Sequence, residues 1–330
     1  FFLSPLSLIW LNLNNYNLSL NIKNNWKTII LSIALTPLFS FSQRDIIQVD
    51  YVENQDKSIS FSYKKNNPGS YYLILKFTAL SNTRANTFKR VVKNSSGSLL
   101  KLKPINSDEG IGFQYSFQYF EGHLNSKIDY DYPYILPFDK GKTNYINELF
   151  SIENVYLKKD LPKDWKSYSF NFENPEIVRA IRKGLVIEII DEFKSKSDNT
   201  YSYYSDLNSI IIEHNDGSIA SYKGFSDKIN VKIGQLVYPQ SRLGELAKYD
   251  TRELYRLYLS LYSFKTVKGK TLNNLKPKDI EINYITPKFY INGDVKKLKN
   301  KERFKVNYTD DILFKEMRRR EIKNYKTSKK

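Results

Sequence analysis

From Phe113 to Tyr119 the chain places an aromatic residue at every second position, and from Leu257 to Tyr262 it alternates leucine with tyrosine and serine. A period of two sends neighbouring side chains to opposite faces, so each segment belongs to a half-buried β-strand rather than to a helix. Other β-rich runs are set off by turn residues. Ser58–Tyr63 and Tyr71–Phe77 flank Pro68-Gly69, which predicts a hairpin, and Phe88–Val92 and Leu99–Lys103 flank Asn94–Gly97, which predicts a second one. Further on, Ser209–His214 and Ser218–Phe225 lie either side of Asn215-Asp216-Gly217, the turn chemistry of a tight hairpin. Several short strands at this spacing make the chain all-β, with a small sandwich at its start.

Residue usage narrows the chemistry. A hydrophobic content of 41% over 330 residues is enough for a sizeable core. With no cysteine, disulfides, zinc-thiolate sites, iron–sulfur ligation and cysteine nucleophiles are all excluded. His123 and His214 are the only imidazoles. No Ser-His-Asp constellation, phosphate-binding glycine loop or paired-carboxylate spacing stands out, so no catalytic residue is assigned.

Lys23 and Lys27 precede the apolar run Thr28–Phe41, and small residues stand at Ser40 and Ser42. This reads as a secretory signal peptide cleaved after Ser42, and hence as a periplasmic or secreted protein. Residues 1–21 carry no initiator methionine and read as translation extended upstream of a start near Ile22. The formal net charge is +17; residues 1–42 hold two lysines and no acid, so 50 basic and 35 acidic residues follow them, a balance of +15. Residues 296–330 contribute 14 basic and 5 acidic residues, +9 of that balance. For an exported chain, such a tail fits cell wall, lipopolysaccharide or lipid headgroups better than nucleic acid, and outer-membrane association through it is one expectation. A solvated tail with no specific ligand is the alternative. A short helix is expected from Thr309 as N-cap, with Asp310 and Asp311 in its first turn and Arg318–Arg320 in its last half, as the helix dipole favours.

The middle of the chain resembles the lysostaphin/LytM-type zinc endopeptidases of bacterial cell walls. The resemblance rests on Val178, Ala180, Gly184 and Val186; on Asn208, Ile212, His214, Asp216, Gly217 and Tyr222; on Val231, Gly234 and Val237; and on Leu243-Gly244. Residues 134–141 look like the segment that leads into periplasmic members. The resemblance implies a LytM-like (duplicated hybrid motif) antiparallel β domain over 134–264. Residues 1–42 would then be upstream sequence and signal peptide, 43–133 a β-sandwich-like domain, and 265–330 a basic extension with a hairpin around Asn292-Gly293 and the short helix.

In that family a zinc ion is held by His, Asp and His, with water at the fourth position. Here the aspartate place falls on Asn171, the first histidine place on a non-histidine near Ser167, and the closing H-x-H on Tyr258 and Ser260. Neutral amide and hydroxyl oxygens are poor zinc donors, so the expectation is no metal and no cofactor, the zinc of the active family having been lost. His214 matches the family's hairpin histidine, which lies near the groove without binding metal; a strand-end imidazole hydrogen-bonded near its turn is the plainer reading. The degenerate groove positions are thus Asn171, His214, Tyr258 and Ser260. The expected function is a catalytically inactive envelope protein that binds peptidoglycan or a partner protein. An active zinc endopeptidase with rearranged ligands and a structural subunit of an envelope complex stand as alternatives.

Overall fold

The structure, a computed structural model, describes residues 46–84, 87–150, 165–193, 207–248, 254–271, 275–291 and 293–328. The expected signal peptide, residues 1–42, lies outside the described residues. The described chain is all-β, mostly antiparallel, with two short helices near its C-terminal end.

The first unit consists of β1 (Ile47–Glu53), β2 (Ile59–Lys65), β3 (Tyr71–Ser81), β4 (Phe88–Val92), β5 (Ser96–Leu102) and β6 (Gly112–Glu121). They form two three-stranded sheets, β1-β2-β5 and β4-β3-β6. Ile59, Phe61 and Tyr63 of one sheet share a core with Tyr71, Leu73 and Leu75 of the other, and Phe113, Tyr115, Phe117 and Tyr119 pack against it on one face of β6. The sandwich and the aromatic alternation are therefore as expected, but both hairpins are not. β2 and β3 lie in different sheets, as do β4 and β5; the hairpins are β1–β2 and β3–β4. Pro68-Gly69 does reverse the chain, with Gly69 at φ +87°. Turn chemistry specifies a reversal, whereas the partner is chosen by which apolar faces meet, and here two apolar faces meet across a sandwich.

β3 is apolar on both faces for a tertiary reason. Tyr72 and Ile74, on the side away from the sandwich core, pack with Phe120, Leu124, Leu275 and Ile280, which fixes the sandwich to the rest of the molecule. At the same seam Ser70 N–H donates to the buried Glu213 carboxylate (2.6 Å), and Gly122 lies where a Cβ would come within 2.2 Å of the Phe264 ring.

The second unit begins with β7 (Pro133–Tyr134), β8 (Thr143–Tyr145), β9 (Asn147–Phe150), β10 (Lys166–Phe172), β11 (Ile177–Arg179) and β12 (Gly184–Ile190). It continues with β13 (Asn208–Glu213), β14 (Ile219–Ile229), β15 (Leu236–Val237), β16 (Arg242–Leu246) and β17 (Tyr255–Thr266). The central sheet runs β15-β12-β13-β14-β17-β10-β9, with β11 and β16 paired beside β14. One face carries Tyr168, Phe170, Ile210, Ile212, Ala220, Tyr222, Leu257, Leu259 and Leu261 into the main core. The opposite face carries Ser167, Ser169, Asn171, Ser209, Ser221, Tyr258 and Ser260, as the alternation requires.

Four more strands follow: β18 (Ile280–Tyr284), β19 (Lys288–Ile291), β20 (Asp294–Lys296) and β21 (Arg303–Lys305). The expected hairpin around Gly293 is present as β19–β20. The segment after residue 264 is built into the body: β18 pairs with the second half of β17, β19 pairs in parallel with β7, and β21 pairs with β8. The expected single helix is two, α1 (Asp310–Leu313) and α2 (Arg319–Ser328). Thr309 is the N-cap of α1, but Glu316 is pulled onto Arg182 and its carbonyl onto Lys183, and the chain turns between the helices. Arg319 and Arg320 consequently open α2 rather than close a helix, and the Glu321 carboxylate caps it by accepting from Arg318 N–H.

Candidate functional site

Asn171, Tyr258 and Ser260 lie on one surface, the polar face of the central sheet, because β10 and β17 are adjacent and all three side chains have the same parity. The register sets Ser169 opposite Tyr258, Asn171 opposite Arg256 and, across β14, Ser221 opposite Ser260. Tyr258 and Ser260 are buried at 6% exposure each, and Ser167 and Ser169 are buried with them, whereas Asn171 and Arg256 are half-buried.

Arg256 is the residue that sequence reasoning missed. Its Nε–H donates to Asn171 Oδ1, and its Nη1–H donates to Tyr258 Oη at 3.1 Å; Ser169 Oγ–H also donates to Asn171 Oδ1, at 3.3 Å. The signal was present: Arg256 stands two residues before Tyr258, on the same face of the strand. A guanidinium therefore lies against two of the positions that the resemblance matches to the family's metal site, Asn171 and Tyr258. The donors here are an amide and hydroxyls, and a fixed positive charge lies within hydrogen-bonding distance of two of them. These residues do not fit a zinc ion. Among the described residues no group of three or more His, Cys, Asp and Glu is placed to hold a metal.

A glycine bulge borders this cluster. Gly224, at φ +117°, interrupts the β13–β14 register, and a Cβ on it would come within 2.1 Å of the Arg256 carbonyl oxygen. The two backbones can approach this closely only because residue 224 has no side chain.

His214 is not part of this face, which corrects its assignment to the groove. It follows β13 on the far side of the hairpin and is 1% exposed. Its Nδ1–H donates to the Lys183 carbonyl at 2.9 Å, which assigns the tautomer and leaves Nε2 an acceptor. Gly184 opens β12, and a Cβ there would lie 2.4 Å from Ile212 Cγ2 and 2.9 Å from His214 Nδ1. Beside the imidazole stands a buried ionic cluster. Arg182, 2% exposed, pairs with Asp216 Oδ2 at 2.8 Å and grips both oxygens of Glu316 at 2.6 and 3.0 Å. Its guanidinium carbon lies 3.8 Å from the centroid of the Tyr132 ring. Asp216 therefore does more than make a turn: burial alone would raise its carboxyl pKa, but Arg182 and Ser218 hold it down at about 2.

Burial, reinforced by Arg182, pushes the His214 pKa down to about 3 from its ordinary 6.5. The folded state therefore keeps this imidazole neutral while the unfolded chain protonates it. The stability involved is fully present above about pH 6.5 and is lost as pH falls below that value, by about 2 kcal/mol at about pH 5. Carboxyl groups titrate toward the acid end of the same range. The His214 contribution is thus isolated by comparison with His214→Gln. Urea unfolding at about pH 8 and about pH 5 should show the stability gap between the two proteins shrinking by about 2 kcal/mol; a constant gap would mean that His214 protonates normally in the fold.

No family model and no curated protein matches the sequence. Among solved structures, the chain is similar to pseudoalterin, an M23 metalloprotease from the deep sea, at 16% identity and a TM-score of 0.29, over 52% of this chain and 97% of that one. It is also similar to a structure described as a peptidase of the M23 type from Pseudomonas aeruginosa, at 12% identity and a TM-score of 0.27, over 64% of this chain and 86% of that one.

Proposed function

We propose that this chain is a secreted cell-envelope protein whose LytM-like sheet binds peptidoglycan or a partner protein without cutting it, in a regulatory or scaffolding role. The observation that supports this reading is Arg256, hydrogen-bonded to Asn171 and Tyr258, two positions that the resemblance matches to the family's metal site. A catalytic zinc lowers the pKa of its bound water to about 7, and that requires open coordination and electron-rich ligands. A guanidinium beside an amide and two hydroxyls supplies neither. What the face does supply is directional polar groups: an amide and an arginine at its half-buried end, and serine and tyrosine hydroxyls further in. Such a surface suits recognition of amide and hydroxyl groups, which peptide and glycan chains both carry.

The test uses the purified full chain. Metal analysis after incubation with zinc should find well below one equivalent per chain, and isolated cell-wall sacculi should retain the protein without releasing soluble fragments. Chelator should leave that retention unchanged. One zinc per chain together with chelator-sensitive hydrolysis would overturn the proposal in favour of an active endopeptidase. Retention by neither sacculi nor envelope proteins would remove the binding role.

A further inference from the structure

α2 separates its charges by face. Glu321, Ile322 and Tyr325 form the stripe turned to the body. Glu321 pairs with Lys183 at 2.8 Å, and the Tyr325 ring packs on Phe314 and Tyr238 at centroid distances of 5.7 and 6.4 Å. Glu321 is the only acid in the helix, and its charge is thus neutralised inside the molecule. The outward stripe holds Arg319, Arg320 and Lys323 at helical spacing, extended at the N-terminal end by Lys315 and Arg318. All five are exposed, and none is in an ion pair among the described residues. Intrachain electrostatics do not explain the arginines, which stand at the positive end of the helix dipole where cations are disfavoured.

We propose that the outer face of α2 is a docking surface for the anionic phospholipid headgroups of a bilayer. This is independent of what the central sheet binds. Three features favour a lipid surface over a nucleic acid strand. The cations stand on the outer side of a single short helix, Arg319–Ser328. Its aromatic residue is turned inward, so no stacking platform accompanies the cations. The apolar stripe is already used against the body, so the contact is peripheral and electrostatic, resting on cations near a charged surface. Among the described residues no helix is long and apolar enough to cross a membrane.

The experiment is co-sedimentation of the full chain with vesicles of phosphatidylcholine alone and with about one third phosphatidylglycerol, at low and high salt. Binding is expected only to the anionic vesicles and should be lost at about 0.5 M salt, where the screening length falls to a few ångströms. The triple variant Arg319→Glu, Arg320→Glu, Lys323→Glu should bind at least about 100-fold more weakly. A second triple, Lys297→Glu, Lys299→Glu, Lys305→Glu, changes net charge equally at exposed positions elsewhere and should retain most of the binding. Because all six side chains are exposed, both variants should melt with the parent, which excludes unfolding as the cause of any loss. Absence of binding to anionic vesicles overturns the proposal, as does equal loss in the two triples, which would reduce it to net charge. Tighter binding to duplex DNA than to vesicles, abolished by the α2 triple, would reassign the surface to nucleic acid.

Discussion

Arg182→Met is expected to cost about 3–5 kcal/mol, well above the roughly 1 kcal/mol of an ordinary point substitution. The side chain is almost wholly buried and connects three parts of the chain that are distant in sequence: its own strand turn, Asp216 of the hairpin and Glu316 between the two helices. Methionine keeps much of the volume but leaves two carboxylates, at 11% and 21% exposure, without their counter-charge. The cost arises from those stranded charges, so it should be partly reversed by adding Asp216→Asn and Glu316→Gln. Urea unfolding of the single and triple variants checks this. Limited proteolysis should also cut near residue 316 sooner in Arg182→Met, because the helices lose their main anchor. A loss below about 1 kcal/mol would show that the cluster is incidental to stability.

Gly224→Ala should cost about 3 kcal/mol or more, combining an unfavourable φ of +117° with a direct overlap on the Arg256 carbonyl oxygen. The overlap is with backbone, so no side-chain rotation relieves it, and β14 must move away from β17. Gly234→Ala is the matched control. It also has a positive φ, +83°, but a Cβ there meets no atom within 4 Å, so only the conformational strain of about 1 kcal/mol is expected. Thermal melts of the two variants measure the difference. Equal losses would mean that the close approach of β14 and β17 contributes nothing beyond φ strain.

The β character of the chain is legible in its alternation. Phe113, Tyr115, Phe117 and Tyr119 share one face, and Leu257, Leu259 and Leu261 share the core, because a strand offers no other arrangement. The tight turn at Asn215-Asp216-Gly217 is legible too, since Gly217 takes the positive φ of +84° that the turn requires. Strand partnership is not. Ser58–Tyr63 and Tyr71–Phe77 look like a hairpin because the residues between them reverse the chain, yet the same residues also serve a crossover between facing sheets.

The candidate site is legible by absence more than by content. Asn171, Tyr258 and Ser260 can be placed on one face from parity alone. Arg256 shares that parity, but an arginine in a strand is ordinarily a solvated side chain, and only the pairing of β10 with β17 brings its guanidinium onto Asn171. His214 is the converse case. It matches a groove histidine in the resemblance, but the backbone of Lys183 and the ring of Tyr134, which lies 6.2 Å from it between centroids, enclose it away from that face.

By itself, then, the sequence determined the period of the strands, the places where the chain turns, and the absence of cysteine and of a histidine between His123 and His214. These are local or compositional properties, fixed by sterics and by which donors exist at all. The tertiary structure alone decided which strands pair, where the terminal helix breaks, and which side chain reaches Asn171 and Tyr258. Those outcomes depend on contacts between residues far apart in the chain, such as Arg182 with Glu316 and Arg256 with Asn171, and no local pattern encodes a partner 134 or 85 residues away.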